Sequence, residues 1–452
     1  MLAAALLIAL YPDLVPARWP SADLKSLDLL HNTPINCLWL ERPQWSTAFA
    51  AEAAKRGIAT LGVIHREGDP IEAANALAKT GLTGGVAEGP FDDYSLLLIS
   101  GTLAKAKMMY VESGTRSTLK FDSGLPLLST SQGVWPGIHV EKGGSATAGP
   151  TANPWIDTNT GFLRHARAST DATLWMAVRP PEGSVYPVTR YLQAIGDAAI
   201  NGARWVVSLD ADLEKRLLAR EPKALKDWAQ IAAALQHFED HREWRAAKPA
   251  GQIELVQSDT QARLSGGLFD MLTAKHMPVV AVPKSQASTA QKPNGFRYEA
   301  PPLKAEPAPG DLTYDATDTS VNTVWQQISA DVGRRNLGAR LFNVASMLSH
   351  VEVLPGQRQL VLHLVNYSDF PASGITARVL GNYRKARLYR PGEAPVDLET
   401  EKVGWNGICY RRADRHYCDS RRRVADEAII RISRRRLPVR RPELPWPCEP
   451  MP

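Results

Sequence analysis

The sequence predicts an α/β protein: a (β/α)8 TIM barrel followed by a small antiparallel β-domain. Three observations point there. Between Thr33 and Pro283, strand-like and helix-like stretches alternate over roughly 250 residues, the size of such a barrel. The strands are continuous apolar runs, as in a parallel sheet buried on both faces. Beyond Lys284 the pattern turns to short strands between Pro and Gly turns. A doubly wound open sheet is the rival architecture. No Gly-x-Gly-x-x-Gly follows the first strand, which removes the main support for dinucleotide binding.

The elements follow in order. Ile35–Glu41 reads as the first strand, and Trp45–Arg56 has helical, Ala-rich spacing stopped by Gly57. Thr60–His65 is the second strand. Asp69 as N-cap and Pro70 at the first helical position open a helix to Lys79. Gly85–Glu88 is a third, short strand, Tyr94–Ala106 a helix, and Lys107–Glu112 the fourth strand. Pro126–Gln132 is the fifth; a Gly/Pro-rich loop runs on to Asn153, and Ile156–Ala168 contains a helix. Thr173–Val178 is the sixth strand, Pro187–Asn201 a helix, and Arg204–Asp210 the seventh strand, with a long helical stretch to Trp244. Gln252–Gln257 is the eighth strand, followed by a helix over Gly267–Lys275 and the run Val279–Val282. Ser320–Val332 reads as a helix. Gln359–Asn366, Ile375–Leu380 and Ala386–Tyr389 read as strands of a sandwich-like domain.

Composition narrows the class. An apolar content of 44% with 22% charged residues fits a globular chain and excludes a largely disordered one. Four cysteines are too few for a disulfide-built scaffold. No apolar run reaches about 18 residues, so no membrane span is expected. Residues 411–452 hold 12 Arg, no Lys and 6 acidic residues, which accounts for the whole formal net charge of +6. The rest of the chain is neutral. The basic balance therefore does not argue for nucleic acid, and a neutral carbohydrate is the expected partner.

The expected organisation is a signal segment over 1–17, the barrel over 18–283 and a linker over 284–310. A helix with a β-domain that breaks off near Gly407 covers 311–407, and an Arg-rich tail covers 408–452. Met1–Leu10 and Val15-Pro16-Ala17 resemble the apolar region and cleavage site of a secretory signal, though without a basic start. A secreted or periplasmic location follows as an expectation. Three readings of the tail compete: a basic arm, a metal site from Cys409, His416 and Cys418, and a stretch read out of frame.

In a barrel the active site sits at the C-terminal ends of the strands. Glu41, Glu88, Glu112 and Asp210 end strands there, with Asp212 and Asp259 close behind. The loop after strand five holds Gln132-Gly-Val-Trp-Pro-Gly137 and leads to Pro154-Trp-Ile-Asp-Thr-Asn159. Trp135 and Trp155 could stack on pyranose rings, and Asp157 and Asn159 could hydrogen-bond hydroxyls; alternatively the aromatics pack the barrel mouth. Glycoside hydrolysis needs two carboxyl groups across one bond. Glu112 as acid/base and Asp210 as nucleophile are the expected pair, with Glu88, Asp212 and Asp259 around the substrate. The alternative for Asp210 and Asp212 is a helix N-cap. No cofactor or metal ligand set is expected in the body of the chain. His237 and His241 have metal-ligand spacing on a helix, but their charged neighbours read as a solvated face.

A barrel, a connecting region and a β-domain carrying Leu362-His-Leu-Val-Asn-Tyr-Ser368 together resemble the multi-domain barrel glycoside hydrolases of bacteria, β-galactosidase-like ones among them. The motifs are Gln132–Gly137, Pro154–Asn159 and Arg204–Asp210. The resemblance implies a hydrolase for a galactoside or related oligosaccharide. Many of those enzymes end strand four with Asn-Glu and strand seven with Glu; here Val111 precedes Glu112 and strand seven ends in Asp210. A non-catalytic barrel that binds carbohydrate or serves as a scaffold is the second hypothesis. Many relatives also carry a full α/β domain before the β-domain, expected here to be reduced or absent.

Overall fold

The computed structural model describes residues 13–138, 156–251, 253–264, 267–287, 296–300, 319–333, 338–411 and 427–433. Positions 345, 355, 357–358, 369–370, 382, 384 and 404–406 within these spans are not described. Eight parallel strands run in order around one sheet: β1 (Pro16–Arg18), β2 (Cys37–Leu40), β3 (Ala59–His65), β4 (Gly84–Glu88), β5 (Met109–Gly114), β6 (Leu127–Thr130), β9 (Thr173–Met176) and β10 (Ala203–Trp205). The chain just beyond β10 meets β1 again. Arg18 N–H donates to the Val207 carbonyl (2.8 Å), and Val207 N–H to the Pro16 carbonyl (3.1 Å). The sheet thus curls into a barrel joined at one parallel bridge. Between β6 and β9, the short β7 (Gly137–Ile138) and β8 (Ile156–Asp157) pair antiparallel.

The two faces of each strand separate cleanly. Trp39, Leu61, Val63, Val86, Met109, Val111, Leu127, Trp175 and Val206 fill the lumen. Leu38, Leu40, Ile64, Ala87, Leu128 and Leu174 pack outward against the helices. Those helices start on readable signals. Ser46 caps α1 (Thr47–Lys55), Asp69 caps α2 (Pro70–Leu77) and Asp92 caps α3 (Asp93–Lys105). α4 (Thr160–Ser169), α5 (Val188–Ala199), α6 (Ala211–Leu218) and α7 (Pro222–Asp240) complete the outer layer.

Two expectations shift here. The first barrel strand is Pro16–Arg18, inside and beside the segment read as a signal; three residues led by proline carry no strand pattern of their own. The expected eighth strand lies outside the barrel. After α7 the chain leaves through β11 (Lys248–Pro249), which pairs antiparallel with β16 (Met347–Val353). β12 (Ile253–Gln257) then sits between β13 (Val279–Pro283) and β14 (Phe296–Glu299) in a separate three-stranded parallel sheet. Helices α8 (Asp259–Leu264), α9 (Gly267–Ala274) and α10 (Thr319–Val332) accompany it, and Leu255, Phe269, Leu272 and Ile328 form its core. A small α/β unit, expected to be reduced or absent, is therefore present with three strands, and its strand β14 lies within the stretch read as a linker.

The rest is a nine-stranded sheet with antiparallel pairing between neighbours: β11-β16-β17-β22-β19-β20-β21-β18-β15. The remaining members are β15 (Ala339–Phe342), β17 (Gln359–Asn366), β18 (Thr376–Leu380), β19 (Lys385–Tyr389), β20 (Val396–Val403), β21 (Gly407–Arg411) and β22 (Glu427–Ser433). The sheet does not stop at Gly407, because β22 pairs with β17 on one side and β19 on the other. Cys418 and Cys448 lie outside the described residues. Leu348, Val361, Val365 and Tyr367 face the barrel and join its outer core, while Val351, Leu362 and Leu364 face the inner side of the β-domain. His237 is buried, and both His237 and His241 pack on Trp244, contrary to the solvated face expected.

Candidate active site

The lumen-facing positions continue upward to a ring at the C-terminal ends of the strands. Arg18 follows Pro16, Glu41 follows Trp39, His65 follows Val63, Glu88 follows Val86 and Arg179 follows Ala177, each two residues on and so on the same face. They form one network. Arg18 and Arg179 both bind Glu88, Arg179 Nη2 at 2.8 Å from Oε2. Arg179 also binds Glu41, and His65 Nε2 lies 2.7 Å from Glu41 Oε2. The Arg18 guanidinium stands 4.9 Å over the Trp39 ring, which floors the site. In register with Glu88 on the next strand, Ser113 and then Ser129 continue the ring, their hydroxyls 3.0 Å apart.

The network sets the charges. Burial works against an ionised Glu41, but the His65 hydrogen bond and Arg179 outweigh it and hold the carboxyl down at about 2. Glu88 is likewise held low, burial being overcome by Arg18 and then Arg179. The Glu41 hydrogen bond raises His65. Glu214, in the first turn of α6, behaves in the opposite way: burial, and then the charge of Asp210, push it up to about 7 against the pull of Arg179. Arg179 thus binds two glutamates that are held low, Glu41 and Glu88, and acts on a third, Glu214, that burial pushes up.

Trp135 forms a half-buried aromatic wall at the mouth. Its ring lies 4.8 Å from Tyr186, 5.1 Å from Trp205 and 5.4 Å from Tyr191. Its Nε1 donates to the Arg179 carbonyl at 3.0 Å, which ties the wall to the charged network.

The expected site residues fall in several places. Glu88 and Trp135 are at the mouth. Asp210 is there too, 2% exposed, but its carboxylate caps α6 through the Asp212 and Leu213 amides and accepts from Tyr191 Oη at 2.6 Å. Glu112 faces away: Val111 fills the lumen, so its neighbour points to the helix layer, where Lys120 and Asp93 are the charges that act on it. The pair Glu112 and Asp210 is therefore not brought together across the lumen. Asp212 pairs with Arg216 on the outer surface of α6. Asp157 lies in β8 opposite Gly137. Asn159 is fully buried and joins a hydrogen-bond network with Asp197 and Arg116. Asp259 opens α8, outside the barrel. Trp155 lies outside the described residues.

Arg18, His65, Arg179 and Glu214 are the residues sequence reading did not single out. A signal was available for His65 and Arg179, each lying two positions beyond a lumen-facing residue, but not for Arg18, whose strand is too short to show a pattern. Glu41, His65 and Glu88 also bring one ligand atom each within 4.8 Å of one another, a set that could hold a divalent cation. Both carboxylates are already neutralised by arginines, however, and a cation would have to displace Arg179.

No protein-family model matches the sequence, and no curated protein matches it. Among solved structures, the chain is similar to alpha-L-fucosidase isoenzyme 2 from Paenibacillus thiaminolyticus, with a TM-score of 0.54 and 10% identity over 94% of this chain and 99% of that one. Two others are a GH42 beta-galactosidase from G. stearothermophilus (TM-score 0.26, 8% identity, 81% of this chain and 66% of that one) and the glycoside hydrolase domain of PelA from Pseudomonas aeruginosa (0.28, 12%, 44% and 95%). Scores that low carry no argument. The first shows the fold alone: a barrel with appended sheets.

Proposed function

We propose that the barrel mouth hydrolyses a glycosidic bond in a galactoside or related oligosaccharide. One observation carries the proposal: of two glutamates acted on by the same arginine, Glu41 is driven down by its partners and Glu214 is driven up by burial. Such a pair separates an acid from its ionised partner. Glu214 donates the proton to the leaving oxygen, and Glu41, one-third exposed, is the ionised partner. Arg18 and Arg179 keep Glu41 and Glu88 charged, and Trp135 with Tyr186 offers a sugar an aromatic face. Export belongs to the same proposal, with processing upstream of β1, since a cut after Ala17 would sever the first strand.

The test is turnover of chromogenic glycosides, galactosides first. Glu214→Gln should lower kcat by about 10²–10⁴-fold, the range for loss of a general acid. Glu112→Gln, facing the helix layer, should leave kcat near wild type. Activity that survives Glu214→Gln and dies with Glu112→Gln would overturn these roles. A specific observation favours a second reading, a carbohydrate-binding barrel without turnover: Glu41 and Glu88 are both already paired with arginine. Saturable binding of a galactoside by the wild type with no hydrolysis would establish it.

A further inference from the structure

We propose that the β-domain shapes the barrel mouth, the end of β17 fixing Trp135 through two hydrogen-bonded arms. Trp135 lies on the loop between β6 and β7, flanked by Val134 and Pro136. The first arm starts at Tyr367, whose Oη donates to Asp197 Oδ1 in α5 at 2.8 Å. Asp197 Oδ2 accepts from the Asn159 backbone N–H (3.0 Å) and from its side-chain Nδ2 (2.8 Å). The Asn159 amide then clasps the Val134 residue on both sides. Its Oδ1 accepts from Val134 N–H at 3.0 Å, and its Nδ2 donates to the Val134 carbonyl at 3.0 Å.

The second arm reaches the other flank. The carbonyls of Asn366 and Ser368 accept from Gln193 Nε2 at 3.1 and 3.3 Å. Gln193 Oε1 accepts from Arg190 Nη1 at 3.3 Å, and the same nitrogen donates to the Pro136 carbonyl at 3.0 Å. Both arms therefore start within Asn366–Ser368 and end on the residues either side of Trp135. Asn159, Asp197, Gln193 and Tyr367 are all fully buried, so water cannot replace a lost partner cheaply. Gly133 lets the loop come this close: a Cβ there would lie 2.7 Å from the Met176 methyl and 3.0 Å from Asn159 Oδ1. Tyr367 and Gln193 are positioning residues, acting on the mouth through Trp135 and, through its indole N–H, on Arg179.

Hydrogen exchange on the full chain tests this directly. The variants are Tyr367→Phe and Gln193→Leu, with Val361→Ala as control, a barrel-facing residue of β17 outside both arms. Loss of one buried hydrogen bond should speed exchange across residues 131–135 by about fivefold or more in the first two variants. Val361→Ala should lower Tm without singling out that segment. If the segment stays as protected as in the wild type in both arm variants, or loosens equally in the control, the proposal fails. Should Tyr367→Phe not fold, Gln193→Leu decides alone. A kinetic readout rests on the proposed hydrolase reading: KM for a galactoside should rise in both variants with kcat little changed. If the wild type turns over no glycoside, that reading fails while the exchange result stands.

Discussion

Two polar regions of this molecule solve the same problem in opposite ways. At the barrel mouth, Glu41 and Glu88 are desolvated yet held ionised, because arginines and a histidine meet them. In the knot beneath the β-domain, Asp197 and Asp270 are also buried, but burial wins and raises both. Their direct partners are neutral donors: Tyr367 and Asn159 for Asp197, and the Gly161 amide and Thr158 for Asp270. The lesson is about partner type. Cations keep a carboxylate charged and ready for chemistry, whereas neutral donors use it as a rigid acceptor. Under the proposed function the mouth is the reactive region, and the knot is its mounting.

Four measurements would break or sharpen that contrast. The largest stability effect is expected in the knot. Asp197→Ala strands the Tyr367 hydroxyl and the Asn159 amide in a dry interior and should cost about 3 kcal/mol or more in urea unfolding. Next comes Arg18→Met at the mouth, costing about 1–3 kcal/mol at pH 7 because Glu88 loses a buried partner. The sign with pH separates the two regions. The Glu88 pKa is depressed in the fold, so its pairing stabilises above the ordinary carboxylate range and the contribution fades as pH falls through the folded value. The Arg18→Met deficit should therefore shrink in acid. An equal deficit at low and neutral pH would show that charge does not hold the mouth.

A third effect is kinetic. Glu214 must be protonated to act as the acid, so kcat should decline as pH rises through about 7, and Glu214→Gln should abolish that limb. A profile flat up to pH 9 would remove Glu214 from the mechanism. The smallest effect belongs to neither region. Arg42 and Glu72 pair at 2.9 Å with more than half of each side chain exposed, and Arg42→Ala should cost under about 1 kcal/mol by thermal unfolding.

Much of the barrel is readable because most strand runs are apolar and α1, α2, α3 and α6 start on side-chain caps. The same uniformity hid its inner face. With both sides of β5 apolar, nothing local says whether Val111 or Glu112 looks into the lumen, and the choice decides which carboxylate can react. The mouth network was harder still. Arg18, Glu41, His65, Glu88 and Arg179 come from five strand ends and meet only on closure. β1 is too short to show a period, so the count of eight was reached by taking β12, which belongs to another sheet. The knot was illegible for a different reason: Asn159 and Asp157 look alike as sugar ligands in sequence, and only burial turns Asn159 into a clamp.

The place of β22 governs the order in which the protein can assemble. Strands β17 and β19 do not pair with each other; Glu427–Ser433 lies between them and bonds to both. Until residue 433 has left the ribosome, both carry an open edge, and the strand whose end bears Tyr367 waits with an unpaired flank. The strand ends that close the barrel, at Ala17 and Val207, are both synthesised long before Glu427–Ser433, the strand that completes the sheet steadying its mouth. During synthesis, therefore, every barrel strand is available before the strand that completes the brace of its mouth.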